Sequence, residues 1–488
     1  MISLWIIGII VALLIINTVV ALITVFIKPR STVTVWAWIL VLVLLPGVGF
    51  ILYAFFGRGI AREKLFNFTS QEYLGVQQVK KMAVTDQNSI QLNSATDQTK
   101  YASSVVNFFN KTETTPITHH NEVELIFDGK EKFKKMFADI RAAKETVHVE
   151  YYAFIDSDIG DQLLSLLVDK ANEGLEVRVL YDPWGSTHTK PSYFNPLKEA
   201  GGEVVQFITA KNSISKTRLN YHLHRKNVII DGYIGYIGGF NVGDEYLGKS
   251  PKFGYWRDSH ARISGTAVLL LQERFFMDWN ASLSRRDKKL PFSEKYFPRD
   301  RSNKNSNIPI QIVADGPDNN EEILKDGFID MIMKAKESVW LQTPYLTPDD
   351  AVFTALTIAA RSGIDVRIMI PCMPDHAFIY RATQYYANLL IRYGVKVYTY
   401  ENGFLHAKTS VIDGKYGSVG SMNHDYRSYQ LNFEMNAFFY DTNVAQQIKN
   451  SFLKDLEVSH ELTQEIVDQQ SPWLKFKQRF SRLLAPIL

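Results

Sequence analysis

Two copies of one short motif, His-x-Lys-x4-Asp followed by Gly-x2-Asn, contain the residues of this chain best suited to chemistry. The copies lie 182 residues apart, the difference between positions 406 and 224. One such motif arises easily by chance, whereas two in register with the same closing residues indicate one site built from both. The residues are His224, Lys226, Asp231 and Asn241 in the first copy and His406, Lys408, Asp413 and Asn423 in the second.

Each copy is predicted to be a β-strand that ends in a turn, because β-branched residues precede an Asp-Gly pair. The His and Lys, two residues apart, then project from the same strand face, while the Asp points the other way. An imidazole beside an ammonium, with an Asn amide nearby, suits a phosphate, whose oxygens need several donors. The ammonium would repel a cation, so no metal is predicted. Two such half-sites facing each other would bracket one phosphodiester.

The surrounding sequence alternates helix and strand patterns. Strands are predicted at Thr146–Tyr152 and Glu176–Tyr181, with a helix over Ile159–Glu173 between them. The same order returns in the second half, where Gly363 to Ile368 repeats Gly174 to Val179. The sequence therefore predicts an α/β fold of two tandem halves, each a mixed sheet flanked by helices. The predicted units are a hairpin over 1–64, a connector over 65–120, halves over 121–282 and 310–460, a basic linker over 283–309 and a tail over 461–488.

Two uncharged apolar runs at the N-terminus predict a transmembrane hairpin. Leu4–Ile27 and Val33–Phe56 each exceed the roughly 20 residues that span a bilayer as a helix. A cleaved signal peptide fits less well, because the first run lacks a basic start and a second run follows at once. The basic residues flanking the runs favour cytoplasmic termini, and with them a cytoplasmic catalytic domain. The single cysteine, Cys372, fits a reducing compartment.

Two basic segments remain open to two interpretations each. The linker is either a solvated connection or a polybasic strip against anionic lipid. The tail has Trp473, Phe476, Phe480 and Leu483 on one helical face and basic residues on the rest. It either lies in a membrane interface or packs on the protein's own core. The formal net charge of only +3 gives no indication of a nucleic-acid binder.

The paired motif resembles the phospholipase D superfamily, and the whole chain, hairpin included, resembles the bacterial cardiolipin synthases within it. The resemblance implies a phosphatidyltransferase that condenses two phosphatidylglycerols into cardiolipin and glycerol, without a cofactor. It implies a phosphohistidine intermediate, with His224 as the nucleophile and His406 as the acid and base. Lys226, Lys408, Asn241 and Asn423 would hold the phosphoryl oxygens. We expect a multi-pass protein of the bacterial cell membrane that contacts anionic lipid. The resemblance leaves open whether it forms a homo-oligomer.

The acids of the site are predicted in two groups. The superfamily signature counts Asp231 and Asp413 with the catalytic residues, whereas strand parity makes them turn and network residues. Each imidazole also needs an orienting acceptor. In the superfamily a downstream acid pairs with the His, so Glu434 is expected to serve the second half. Position 252 is Lys in the first half, and Asp258 is assigned there instead.

Two other enzyme classes would use the same motifs. A hydrolytic phospholipase D would let water attack the phosphohistidine in place of a lipid alcohol. A membrane-tethered nuclease would bind DNA with strong salt dependence. A scaffold without activity is disfavoured because both motifs are complete.

Overall fold

The computed structural model describes residues 32–45, 48–53, 70–83, 97–111, 115–207, 221–284, 287–298, 306–319 and 321–485, with scattered residues between 8 and 25. Its centre is a pair of mixed β-sheets with one strand order. The first sheet runs β1-β9-β7-β6-β2-β3-β4 and the second runs β10-β19-β17-β16-β11-β13-β14, extended by β20. In each sheet only the last three strands of this shared order run parallel. The predicted α/β class and tandem duplication are confirmed.

The first half alternates buried strands with capped helices. Asp128 and Ser157 accept bonds from the backbone N–H groups of Glu131 and Gly160, which fixes the start of two of its long helices. Strand β2 is buried at every position, as expected for a strand covered on both faces. Its elements are β1 (Asn121–Ile126), α6 (Gly129–Ala142), β2 (Thr146–Tyr151), α7 (Asp158–Asn172), β3 (Glu176–Tyr181), a 3-10 turn (Pro191–Phe194), α8 (Asn195–Glu199), β4 (Glu203–Gln206), β5 (His222–Leu223), β6 (Lys226–Ile230), β7 (Ile234–Gly238), a 3-10 turn (Asp244–Leu247), β8 (Trp256–Arg257), β9 (His260–Gly265) and α9 (Val268–Ser282).

The second half repeats this order, and every position of its long strand β19 is buried. Its elements are β10 (Ile310–Asp315), α10 (Ile323–Lys334), β11 (Ser338–Gln342), β12 (Leu346–Thr347), α11 (Asp350–Arg361), β13 (Asp365–Pro371), α12 (Ala377–Ile391), β14 (Lys396–Tyr400), β15 (Phe404–Leu405), β16 (Thr409–Ile412), β17 (Tyr416–Gly420), β18 (His424–Asp425), α13 (Tyr426–Gln430), β19 (Asn432–Phe439), α14 (Thr442–Leu456), β20 (Ser459–Leu462), α15 (Gln464–Gln469) and α16 (Pro472–Leu484).

The two halves share one hydrophobic core. Helices α9 and α14 contact strands of both sheets, and their apolar side chains join those of both halves in a single cluster. Two short parallel strand pairs also cross the seam between the halves. Strand β5 of the first half pairs with β19, and β8 of the first half pairs with β15. The site motifs lie beside these two crossings.

Segments outside the sheets pack on them. Leu290, Tyr296 and Phe297 of the basic linker are buried in the shared core, and Lys295 forms an ion pair with Glu176. This part of the linker is therefore not a solvated connection. Positions 285–286 and 299–305 lie outside the described residues. The connector contributes α3 (Ser70–Ala83), α4 (Asp97–Tyr101) and α5 (Ser103–Lys111).

The N-terminal hairpin is described only in part. Within the second predicted span the structure describes α1 (Thr32–Leu44) and α2 (Val48–Leu52). Among the residues that the structure describes, no helix is long and apolar enough to cross a membrane. Most of the first predicted span lies outside them.

Candidate active site

Both motif histidines lie at the seam, where a two-residue strand leads into a strand of the main sheet. His224 stands between β5 and β6, and its N–H donates to the Phe433 carbonyl at 2.9 Å. His406 stands between β15 and β16, and its N–H donates to the Arg257 carbonyl at 2.7 Å. Each histidine is thus fixed by the backbone of the opposite half. The two motifs share one site only because the halves meet here.

The imidazoles are held by carboxylates across the same seam. Nδ1 of His224 lies 2.9 Å from both carboxylate oxygens of Glu434. Nδ1 of His406 lies 2.6 Å from Oδ2 of Asp258. The two expected acceptors are therefore present, but the pairing expected within each half is wrong, because each acid serves the histidine of the other half. With Nδ1–H donated to a carboxylate, Nε2 of each ring keeps the lone pair.

The strand crossings explain this exchange. Glu434 lies two residues after Asn432, which is opposite His222 in the β5–β19 pair. Asp258 lies two residues after Trp256, which is opposite Phe404 in the β8–β15 pair. Each parallel pair therefore brings one acid beside a histidine of the other half. The spacing of residues within one half does not reveal this pairing, because the two acids lie 148 and 210 residues from their histidines.

The two lysines lie beside the histidines that precede them. Nζ of Lys408 is 2.9 Å from Nδ1 of His406 and donates to its carbonyl at 2.5 Å, and Nζ of Lys226 donates to the carbonyl of His224. Burial lowers the pKa of Lys226 to about 7 and of Lys408 to about 8, against the opposing effect of Glu434 and Asp258. Two closely placed ammonium groups would be stabilised by a bound anion.

Burial also lowers the pKa of both imidazoles to about 4. The neighbouring Lys226 and Lys408 act in the same direction, whereas Glu434 and Asp258 oppose the shift. Without substrate, both rings are therefore neutral at pH 7. An anionic phosphodiester between them would favour the imidazolium form, which one of the two needs in order to act as an acid.

The two closing asparagines are held differently. The Asn241 amide donates to the Tyr246 hydroxyl at 2.8 Å and its carbonyl accepts from the N–H of Ala153 at 3.2 Å. Among the described residues its amide group donates to no other acceptor, so its second hydrogen can serve a phosphoryl oxygen. Oδ1 of the buried Asn423 has no hydrogen-bond partner among the described residues. Both side chains stay candidates for substrate binding.

The motif aspartates lie at the far end of the strands and have a structural role. Both adopt the left-handed conformation, with φ of 53° at Asp231 and 54° at Asp413. Each carboxylate accepts three backbone N–H bonds, from residues 144–146 in the first half and 336–338 in the second. Tyr101 donates a further bond of 2.6 Å to Asp413. The turn and network interpretation fits this geometry, and the grouping with catalytic residues does not.

Sequence reasoning missed several polar groups of the site. Ser421 donates a bond of 2.5 Å to Glu434, while a Cβ at the corresponding Gly239 would come within 2.0 Å of Asp258. The sequence could have revealed this difference, because the motif has Gly238-Gly239 in the first copy and Gly420-Ser421 in the second. The Tyr152 ring lies 5.2 Å from the His224 ring, centroid to centroid. The fully buried Arg225 joins the halves through the carbonyls of Glu434 and Asp315, and its ion pair with Asp278 lies within the first half.

Comparisons with known proteins agree with this geometry. The family model described as cardiolipin synthase, PLD-like domain, matches residues 136–252 and 328–456, and the phospholipase D-nuclease N-terminal model matches residues 15–58. A protein named cardiolipin synthase from Listeria innocua is 45% identical over 98% of both chains. The major cardiolipin synthase ClsA of Bacillus subtilis is 44% identical over 97% of this chain and 98% of its own.

A solved structure supports the fold alone. The phosphatidylserine synthase of Haemophilus influenzae superposes with a TM-score of 0.58 at 15% sequence identity. The match covers 80% of this chain and all of that one. The tandem arrangement of two α/β halves is therefore an architecture already seen in a crystal.

Proposed function

The chain belongs to the cardiolipin synthase family of the phospholipase D superfamily, and from that premise we propose that it transfers a phosphatidyl group between two phosphatidylglycerols. The products are cardiolipin and glycerol. The observation that supports this most directly is the pair of imidazoles across one seam, each with Nδ1 on a buried carboxylate and a buried lysine beside it. Such a pair provides one nucleophile and one proton donor for a single phosphodiester.

The first step exchanges a P–O bond for a P–N bond. Nε2 of His224 attacks phosphorus, the ester bond to glycerol breaks, and the His406 imidazolium gives its proton to the leaving oxygen. This order follows the resemblance to the superfamily. Lys226, Lys408, Asn241 and Asn423 would offset the charge that develops on the phosphoryl oxygens. A phosphohistidine and free glycerol result.

The second step reverses these bond changes with a different alcohol. The now neutral His406 takes the proton of a free hydroxyl on the second phosphatidylglycerol, whose oxygen attacks phosphorus as the P–N bond breaks. Because one phosphodiester replaces another, no energy-rich nucleotide is consumed. The same histidine serves as acid and then as base, which restores the starting protonation of both rings.

The experiment that tests this function supplies phosphatidylglycerol as the only lipid to the full chain in detergent or vesicles. We expect cardiolipin and glycerol in equal amounts, measured by mass spectrometry. Phosphatidic acid and glycerol without cardiolipin would contradict the proposal, since water would then be the acceptor.

We further propose that the C-terminal helix α16 places the catalytic halves on an anionic bilayer. Its inner face is polar, with Gln478 and Ser481 buried, and Gln478 accepts a bond of 3.1 Å from Asn388 of α12. Its outer face is apolar and 48 to 70% exposed at each of its large side chains, Trp473, Phe476, Phe480 and Leu483. A helix that turns its aromatic face away from the protein fits a membrane interface better than the protein's own core.

Charge favours the same partner. The helix contains four basic residues and no acidic one between Pro472 and Leu484. A basic side chain near an anionic surface contributes roughly 1 kcal/mol. With aromatic side chains between the cations, α16 suits a bilayer of phosphatidylglycerol, the proposed substrate itself.

Insertion of α16 is expected to bring position 480 into the acyl region. In a Cys372→Ser background, a fluorophore at Phe480→Cys should be quenched by brominated lipids in vesicles containing phosphatidylglycerol. The same label at Val458→Cys, which is 41% exposed but lies outside α16, is the matched control and should stay unquenched. Equal signals at both positions, or energy transfer between two labelled copies, would contradict the membrane assignment.

A further inference from the structure

Two buried polar atoms next to His224 have no partner within the described residues. They are Nδ1 of His222, on β5 of the first half, and Oδ1 of Asn432, on β19 of the second half. The two residues are directly opposite each other in the parallel β5–β19 pair. Adjacent side chains in such a pair lie on one face of the ladder. Buried polar groups are normally hydrogen-bonded, so two adjacent exceptions at the seam indicate a ligand.

This pair borders the reacting centre. His222 precedes His224 by two residues, and the Tyr152 ring lies 6.1 Å from the His222 ring and 5.2 Å from the His224 ring. Nδ2 of Asn432 donates a bond of 3.2 Å to Glu434, the acceptor of His224. A group bound between His222 and Asn432 would therefore be a neighbour of the transferred phosphate.

The opposite end of the site has a different character. The positions related to His222 and Asn432 by the internal duplication are Phe404 and Trp256, which are opposite each other in the β8–β15 pair. Their ring centroids are 4.8 Å apart, and Phe404 is fully buried. The other crossing therefore has an aromatic pair where the His224 side has two polar residues.

The chemistry of the polar end suits a neutral polyol. Oδ2 of Asp182 lies 3.8 Å from Nδ1 of His222, too far for a hydrogen bond. The positive charge of Arg427 also acts on the His222 ring, so the two opposite charges offset each other and favour a neutral ligand. Burial lowers the pKa of His222 to about 3, so its imidazole is neutral and offers one donor and one acceptor. Oδ1 of Asn432 is an acceptor only. Hydroxyl groups match this set because each can donate and accept.

We propose that His222 and Asn432 bind the free hydroxyl groups of the glycerol head group. This inference rests on the phosphatidyl transfer proposed above. It identifies two residues that would make the enzyme prefer glycerol-containing alcohols as acceptors. Both are positioning residues, because they orient the alcohol and take no part in bond making. A lipid alcohol or glycerol would gain two contacts here that water or a mono-alcohol cannot make together.

The test compares glycerol with 1-propanol as acceptors for the full chain in vesicles, with phosphatidylglycerol as donor. Deuterated glycerol gives labelled phosphatidylglycerol, and propanol gives phosphatidylpropanol. His222→Phe and Asn432→Leu should each raise the KM for glycerol about tenfold, the effect of about one hydrogen bond. The KM for propanol should change less than twofold. His222→Gln keeps a polar side chain and should recover most of the glycerol affinity.

Each other outcome has a definite meaning. His188→Phe, an exposed histidine outside the pair, is the matched control and should leave both KM values unchanged. Equal changes for both alcohols, or no change for either, would overturn the subsite. Wild-type protein that transfers to neither alcohol and makes no cardiolipin would instead overturn the proposed function. Transfer to propanol in the variants therefore separates failure of the subsite from failure of the function.

Discussion

Glu434→Gln and Asp258→Asn are each expected to lower the rate of cardiolipin formation about 10³-fold, close to the complete loss expected for His224→Ala and His406→Ala. Each carboxylate accepts the Nδ1 proton of one imidazole and so keeps the Nε2 lone pair directed at the substrate. An amide can present an N–H to the ring instead, which favours the wrong tautomer, and losses of roughly 10⁴-fold are known for such a change in a catalytic triad. The measurement is the initial rate of cardiolipin release.

The same variants identify which acid serves which ring. Glu434 raises the pKa of His224 against the effect of burial, so Glu434→Gln should lower that pKa further and leave the imidazolium less accessible. Asp258→Asn should do the same to His406. Histidine ¹⁵N resonances, assigned with the two alanine variants, report each ring separately. Glu461→Gln, an exposed acid on β20, is the control. A Glu434→Gln variant that perturbs His406 alone would contradict the exchange between halves.

The sequence was sufficient to predict the parts of the site that depend on local pattern. The β-branched run before Asp231 predicts a strand and turn, and β6 ends at Ile230 with the positive φ of Asp231 directly after it. The repeat of that pattern around Asp413 predicts a second half of the same fold. Both results depend on residues a few positions apart, where steric preference and periodicity act.

The pairing of Glu434 with His224 depends on contacts between the two halves, which local sequence patterns do not reveal. Glu434 follows His406 by 28 residues, and His224 precedes it by 210. Sequence proximity therefore favours the wrong partner. What decides the contact is a two-residue strand, β5, that joins the sheet of the other half, and two residues give no periodicity to detect. Polar side chains such as Asn432 were likewise missed because their role appears only when both halves meet.

Arg225→Met is expected to reduce the free energy of unfolding by about 3 kcal/mol, the lower end of the usual cost of breaking a buried ion pair, because Arg274 still pairs with Asp278. Arg225 is fully buried and forms an ion pair with Asp278, which is also fully buried. Its remaining donors bind the Glu434 carbonyl at 3.1 Å and the Asp315 carbonyl at 3.2 Å, both in the second half. The second motif has Ala407 at this position, so no equivalent bond replaces it. Urea denaturation in mild detergent measures the change.

Two further variants separate the lost charge pair from lost packing. Arg262→Met breaks a pair with Asp139 whose side chains are 23% and 17% exposed, and we expect a cost near 1 kcal/mol. Arg225→Met combined with Asp278→Leu removes both buried charges and should recover part of the stability, although Arg274 then loses its bond to Asp278. If Arg225→Met lowered the free energy of unfolding no more than Arg262→Met does, the proposed role of Arg225 in holding the two halves together would be contradicted. Arg225 donates to the backbone carbonyl of Glu434, and the Glu434 carboxylate is the acceptor of His224. An Arg225 contact of the expected strength therefore also helps to position His224 across the seam.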